Sequence, residues 1–276
     1  MKFGAHVSIA GGIYNAPLRA LDLGCECFQM FTRSPRGGKP PELTGEILES
    51  FFKNCDNAGI ENYYVHTPYF INIASKMPDL RSNSVELIKD ELRRSSILKA
   101  KYMMTHIGSA KDMARKDAVN NVADSLDKIM ESYDGFTKLL LENTAGQGDT
   151  IGVNFEEIAE ILEKAESNDI GVCLDTAHMF ASGYDLRKND DINNLVKIIS
   201  NTIKLEKVCL IHGNDSKVDF NSNKDRHEHI GRGKIGKEGF KSLINNIKLS
   251  KFDMIVETPV EGVSKDIQLL KNLRDN

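Results

Sequence analysis

Long hydrophobic runs are missing from this chain. No apolar stretch approaches the roughly 20 residues that a membrane-spanning helix needs, and the opening MKFGAH has no apolar core of a secretory signal. These absences argue against a membrane or secreted protein, so we expect a cytoplasmic location. No segment rich in Pro, Gly or Ser divides the chain, and its 276 residues suit a single domain spanning residues 1–276.

Cysteine is scarce and odd in number. The chain has five cysteines, all but Cys55 inside apolar, strand-like runs, so we expect buried free thiols in a reducing compartment. Cys25 and Cys27 form a C-x-C pair, which differs from the C-x-x-C of zinc ribbons and thiol redox sites.

An excess of basic charge is also missing. The formal net charge is −4 at pH 7, so the chain is not a basic polyelectrolyte that must bind nucleic acid. Carboxylates that bind divalent cations count as negative in this sum and are neutralised once the ions are bound. Phosphate binding therefore stays open.

What the chain does contain is a regular alternation of strands and helices. Apolar runs predict eight strands, at Lys2–His6, Cys25–Phe31, Tyr63–His66, Tyr102–His106, Lys138–Glu142, Ile170–Asp175, Lys207–His212 and Phe252–Glu257. Segments with helical spacing lie between them, at Leu18–Leu23, Glu46–Ala58, Val85–Lys99, Asp117–Met130, Phe155–Ala165, Ile192–Ile203 and Phe240–Ile247, with Val263–Leu273 closing the chain. Such alternation predicts an α/β fold with a parallel sheet, and eight units predict a (β/α)8 TIM barrel. A doubly wound open sheet is the alternative, but no G-x-G-x-x-G loop follows the first strand.

Six successive strands end in a side chain that can bind a metal ion. These side chains are His66, His106, Glu142, Asp175, His212 and Glu257. The carboxyl ends of barrel strands surround one mouth, so the six would converge on a small volume. One such residue alone is more often a hydrogen-bonded histidine or a Glu paired with an Arg. Six together are rare by chance, and carboxylates packed this closely repel one another unless a cation lies between them.

Three further candidates bring the set to nine. His178 follows Asp175 by three residues, and Asp225 and His227 lie in a long polar loop, residues 212–236. Nine ligands are too many for one tetrahedral zinc but can serve three ions if one carboxylate bridges. The mixture of nitrogen and oxygen suits zinc or manganese. Clustered divalent ions favour hydrolysis of phosphate esters, although a divalent-metal sugar isomerase of the same barrel type is the nearest alternative and a non-catalytic DNA- or metal-binding module a second.

Several separate motifs resemble the endonuclease IV family of apurinic/apyrimidinic-site nucleases. They are GAHVSIAGG (4–12), LENTAGQG (141–148), CLDTAHMFASGYD (173–185), HGNDSK (212–217), the trio 225–227 and VETP (256–259). The resemblance implies a barrel with three zinc ions, for which manganese is a possible substitute. By this resemblance, His66, His106 and Glu142 hold the first ion; Glu142, Asp175, His212 and Glu257 the second; and His178, Asp225 and His227 the third. Glu142 would bridge two ions and position the attacking hydroxide.

The resemblance also implies a DNA-repair reaction. The expected substrate is double-stranded DNA cut on the 5′ side of an abasic site, leaving a 3′-hydroxyl and a 5′-deoxyribose phosphate, with trimming of blocked 3′ ends. No nucleotide cofactor is expected, and family members are mostly monomers. Arg36, Tyr69 and Phe70 would push into the base stack, although Tyr69 and Phe70 could instead pack within the loops. Glycines beside Arg36 could alter this wedge, and basic residues of the mouth-side loops, Arg33 among them, could meet phosphates.

Overall fold

Eight parallel strands close into a barrel in a computed structural model that describes residues 1–111, 113–167 and 169–275. The barrel strands are β1 (Phe3–Val7), β2 (Cys27–Met30), β3 (Tyr63–His66), β4 (Tyr102–His106), β5 (Lys138–Glu142), β6 (Ile170–Asp175), β7 (Val208–His212) and β10 (Asp253–Val256). Each pairs with its neighbours along the chain, and β10 closes the ring against β1. The prediction of a (β/α)8 barrel is confirmed.

Helices cover the outside of the barrel. They are α1 (Ala16–Asp22), α2 (Gly45–Ala58), α3 (Pro78–Ile97), α4 (Arg115–Met130), α5 (Phe155–Lys164), α6 (Thr176–Ala181), α7 (Asn189–Asn201), α8 (Gly236–Ile244) and α9 (Val263–Asp275). The start predicted for α3, at Val85, was wrong, because its first turns are polar and exposed and carry no apolar period. A proline at the start of a helix costs no hydrogen bond, so the helix begins at Pro78. No helix within the described ranges is long and apolar enough to cross a bilayer.

The long loop after β7 contains a small hairpin that the sequence did not reveal. Its strands, β8 (Asp215–Ser216) and β9 (His227–Glu228), pair antiparallel outside the barrel. Two-residue strands carry no recognisable alternation of apolar and polar residues. The hairpin returns the chain to the barrel mouth at His227.

The barrel interior is built in layers. One layer is apolar and consists of Cys27, Tyr64, Met104, Leu140, Cys173, Leu210 and Ile255. Side chains two positions apart on a strand point to the same face, so the next residues toward the mouth form a second layer. This polar layer consists of His6, Gln29, His66, His106, Glu142, Asp175, His212 and Glu257. A larger apolar core fills the space between barrel and helices, and all five cysteines are free, as predicted.

Candidate metal centre

Asp175 has two structural roles where β6 runs into α6. It is the last residue of the strand and the N-cap of the helix, and its Oδ1 accepts a hydrogen bond from the backbone N–H of His178 at 2.7 Å. Capping of this kind stabilises the first helical turn. The first turn of α6 places the His178 side chain beside Asp175 at the barrel mouth.

Glu142 lies fully buried between four histidines. Its Oε2 is 3.1 Å from His66 Nε2 and 3.4 Å from His106 Nε2. Its Oε1 is 3.0 Å from His212 Nδ1 and 3.5 Å from His178 Nδ1. The two oxygens therefore face two different groups of ligands, which is the arrangement that a bridging carboxylate needs.

Two groups of donor atoms surround the two oxygens of Glu142. The first group consists of His66, His106 and Glu142, and the second of Glu142, Asp175, His212 and Glu257. Within each group the donor atoms lie within 4.8 Å of one another. His212 Nδ1 is also 3.3 Å from Glu257 Oε2. The two groups share Glu142.

The third group forms where the long loop meets α6. Asp225 places Oδ2 at 3.2 Å from His178 Nε2 and Oδ1 at 3.3 Å from His227 Nε2. Asp175 joins this group as well, because its donor atom lies within 4.8 Å of those of His178 and His227. The structure thus brings all nine predicted side chains to one mouth, in three adjoining groups.

Each histidine of the third group has one buried ring nitrogen without a hydrogen-bond partner among the described residues. His178 donates Nδ1–H to the Asn143 carbonyl at 2.9 Å, and His227 Nδ1 faces the Glu257 carbonyl at 3.3 Å. The Nε2 atoms are buried and make no hydrogen bond within the part of the chain that the structure describes. Each faces a carboxylate oxygen of Asp225. When the imidazole is neutral with its proton on Nδ1, Nε2 and this oxygen both only accept, so a proton or a metal cation belongs between them. Two ligands about 2.0–2.1 Å from a tetrahedral ion lie about 3.3 Å apart, so these residues fit a divalent metal.

Without metal ions, protons on the histidines balance the negative charge of the carboxylates at this site. Burial disfavours charge on Glu142, but His212 and His106 outweigh it and hold the pKa of this carboxyl well below its ordinary value. Burial likewise lowers the pKa of His227, yet Asp175 and Asp225 prevail and raise that pKa to about 9. A metal ion must displace such protons to bind.

Three amide side chains that the sequence did not single out orient the candidate ligands. Asn214 donates Nδ2–H to Asp175 Oδ2 at 2.7 Å and accepts the backbone N–H of Glu257 at 2.7 Å. Asn143 accepts the backbone N–H of Asp175, and Gln29 contacts His212 and Glu257. Asn143 directly follows β5 in the LENT motif and Asn214 lies two residues after β7 in the HGND motif, which was the available signal.

The predicted DNA-contacting residues lie exposed in the loops at the mouth. Arg36 is exposed in the loop after β2, and Tyr69 and Phe70 are 57% and 50% exposed. The Tyr69 ring covers the first group, with its centroid 5.7 Å from that of His66 and 6.0 Å from that of His106. Exposure on this scale argues against burial of the two aromatics within the loops.

Arg33, expected to meet phosphates, does not face the mouth. Its side chain is buried and forms ion pairs with Asp90 and Glu91 of α3. The buried Glu91 carboxylate requires a cationic partner, and Arg33 supplies one. The expectation for this residue was wrong, because sequence spacing cannot reveal a partner more than fifty positions away.

The chain matches the model of a family described as a xylose isomerase-like TIM barrel over residues 18–273. It is 40% identical over 279 residues to a probable endonuclease 4 of Halothermothrix orenii, with 99% of each chain covered. It is 39% identical over 269 residues to a probable endonuclease 4 of Aquifex aeolicus, covering 97% of this chain and 95% of that one.

Solved structures give the same picture. Endonuclease IV from Thermus thermophilus superposes with a TM-score of 0.88 at 30% identity, covering 100% of this chain and 99% of that one. A D-tagatose 3-epimerase-like protein superposes with a TM-score of 0.75 at 20% identity, covering 100% and 97%. The second likeness reflects the fold alone.

Proposed function

The chain belongs to the endonuclease IV family, and from that premise we propose that it cuts double-stranded DNA on the 5′ side of abasic sites with three zinc ions. The products would be a 3′-hydroxyl and a 5′-deoxyribose phosphate, and blocked 3′ ends would be trimmed by the same centre. Membership of the family supports an endonuclease that uses divalent metal. The abasic substrate, the zinc and the number of ions are the parts that we propose.

The observation that carries the proposal is the third group of ligands. His178, Asp225 and His227 adjoin the two groups that share Glu142, and two of their nitrogens are buried without a hydrogen bond among the described residues. A sugar isomerase of this barrel type needs one or two ions and would have no use for a third group. Three adjoining groups suit a phosphodiester, whose attacking and leaving oxygens both require stabilisation.

The chain's own residues would hold and orient the reacting groups. His66 and His106 would hold the first ion, Asp175, His212 and Glu257 the second, and His178, Asp225 and His227 the third, with Glu142 between the first two. When bound, such ions supply a hydroxide near neutral pH and neutralise charge on the leaving oxygen. Manganese would replace zinc at the same mixed nitrogen and oxygen ligands.

Exposed loops at the mouth would select the damaged nucleotide. Tyr69 stands beside the first group, Phe70 follows it and is half exposed, and Arg36 lies exposed in the loop after β2. Aromatic and cationic side chains inserted into the stack would stabilise an extruded nucleotide, and a missing base lowers the cost of extrusion. Selectivity would thus come from the damage itself, without sequence readout.

The experiment is cleavage of a duplex that carries one abasic analogue, with and without a strong chelator, alongside the metal content per chain. We expect a single chelator-sensitive nick and about three zinc ions per chain. One or two ions and no nick would favour the sugar isomerase, and binding without a nick would favour a DNA-binding module.

A carboxylate substitution tests the bridging role. We expect Glu142→Gln to abolish cleavage and largely retain DNA binding, because an amide cannot face two cations. Glu61→Gln is the matched control, since the Glu61 side chain is 89% exposed. Full cleavage by the Glu142 variant would contradict the proposed role. The monomeric state, the independence from a nucleotide cofactor and the cytoplasmic location stay predictions.

A further inference from the structure

Gln29 is a buried amide in the polar layer that touches three residues of the metal centre. Its Nε2 is 2.7 Å from Glu257 Oε1 and 2.9 Å from His6 Nδ1, and its Oε1 is 2.8 Å from His212 Nε2. The side chain is fully inaccessible to solvent. Bulk water therefore cannot replace these hydrogen-bond partners.

The orientation of this amide follows from one contact. Glu257 Oε1 belongs to a carboxylate, which only accepts, so the amide atom 2.7 Å away must be the NH2 group. A flipped amide would place two oxygens at that distance. The other amide atom, facing His212, must then be the carbonyl oxygen.

This orientation fixes the proton position on His212. The Gln29 oxygen can only accept, so His212 carries a proton on Nε2. Its Nδ1 is left facing Glu142 Oε1 at 3.0 Å and Glu257 Oε2 at 3.3 Å. His212 would therefore use Nδ1 toward an ion.

His212 differs in this respect from other histidines of the centre. His66 donates Nδ1–H to the Thr67 carbonyl at 2.6 Å, and His178 donates Nδ1–H to the Asn143 carbonyl. Main-chain carbonyls fix those rings so that Nε2 faces the carboxylates. A side chain fixes His212, and it fixes the opposite nitrogen.

The same amide acts on two further residues. Its second N–H points to His6 Nδ1, which must accept, so the proton of that ring lies on Nε2. Its bond to Glu257 Oε1 leaves Oε2 as the oxygen that faces His212. One amide thus sets two imidazole tautomers and the orientation of one carboxylate.

We propose that Gln29 is the positioning residue of the second metal group, where it makes His212 bind through Nδ1 and Glu257 through Oε2. This inference rests on the proposed metal centre but not on the proposed reaction. Groups that orient ligands in this way typically change metal affinity by about 10–100-fold when removed.

Two variants test the carbonyl oxygen and the NH2 group of the Gln29 amide separately. Gln29→Met has similar length and neither donates nor accepts, so His212 should lose its fixed Nε2–H. Gln29→Glu keeps an oxygen toward His212 but places a second carboxylate against Glu257. We expect it to retain the Nε2–H of His212 while disturbing Glu257. Gln268→Met, on the exposed face of α9, is the matched control.

The tautomers are read by long-range 1H–15N NMR of histidine-labelled, zinc-loaded protein, and affinities by competition with a chromogenic chelator. The wild type should give one imidazole metallated at Nδ1, absent from Gln29→Met, and both Gln29 variants should release one zinc about 10–100-fold more readily. An Nδ1–H tautomer of His212, unchanged affinity in Gln29→Met, or a wild type that takes up no zinc would overturn the inference. The expected spectra without cleavage of abasic DNA would leave it standing and refute the proposed reaction.

Discussion

The Asp215 carboxylate holds the long loop that carries Asp225 and His227 in place. Replacing this carboxylate should open the loop without unfolding the barrel. The fully buried carboxylate accepts backbone N–H groups along the returning chain. These bonds come from Ser216 at 2.8 Å, Gly231 at 2.9 Å, Gly233 at 3.0 Å, Ile235 at 2.9 Å and Gly236 at 3.2 Å. The carboxylate at the start of the loop therefore binds its end.

The perturbation is Asp215→Asn, which keeps the shape and replaces one oxygen by an NH2 group. Oδ1 accepts from Ser216 and Ile235, and Oδ2 accepts from Gly231 and Gly233, so either replacement leaves two backbone donors without an acceptor. Hydrogen bonds to charged groups contribute about 1.5–3 kcal/mol each. Partial hydration of a surface loop reduces the sum, and we expect the free energy of loop opening to fall by about 3 kcal/mol.

The assay is amide hydrogen exchange of the segment 227–236. A loss of about 3 kcal/mol corresponds to roughly 100-fold faster exchange, and zinc at the third group should be lost with it. Asp219→Asn is the control in the same loop, because the Asp219 side chain is 84% exposed and its ion pair with Lys234 at 3.2 Å is worth about 0–1 kcal/mol. Wild-type exchange rates in Asp215→Asn, or equal acceleration in the control, would refute the reasoning.

Three further predictions concern Arg33, His227 and Tyr69. Arg33→Met should lower the free energy of unfolding in urea by about 3 kcal/mol, since the buried Glu91 carboxylate loses its ion pair and keeps a hydrogen bond from the Thr32 hydroxyl; the double variant with Glu91→Met should recover much of that loss. In metal-free protein, the pKa of His227 is raised from 6.5 to about 9, so its stabilisation is present below pH 6.5 and disappears as the pH rises through about 9. We expect the stability difference between the wild type and His227→Gln, taken from urea unfolding midpoints of metal-free protein, to be about 2–3 kcal/mol smaller at pH 10 than at pH 6. An equal difference at both pH values would count against the pairing. Tyr69→Ala should raise KM for an abasic duplex about tenfold with zinc content unchanged, because the exposed ring covers the first group, where we propose that the DNA binds; an unchanged KM would exclude the contact.

The sequence was most informative where a residue's type and its place at a strand end were enough. Histidine and carboxylate at the ends of β3 to β7 predict a common mouth, because parallel strands in a barrel can end nowhere else. Glu142 and Asp175 needed no knowledge of their partners to be selected. The bounds of β3 to β6 followed from apolar runs for the same local reason, whereas the predicted bounds of β1, β2, β7 and β10 were wrong by one or two residues.

Residues whose roles depend on partners far along the chain could not be predicted in this way. Gln29 lies in the same interior row as Cys27, one layer nearer the mouth, and the period of two along β2 could have placed it beside the ligands. A glutamine amide is not a usual ligand for zinc, so the residue type did not select Gln29. Arg33, in the loop after β2, was misplaced because its partners Asp90 and Glu91 belong to α3, more than fifty residues along the chain.

The way each imidazole is oriented has a consequence for how this enzyme can evolve. A main-chain carbonyl fixes His66 and His178, and no point substitution deletes a carbonyl. A side chain fixes His212, and a single codon change removes it. Mutational variation in imidazole orientation should therefore concentrate at His212 of the second group, while the ring orientations of His66 and His178 are inherited with the backbone.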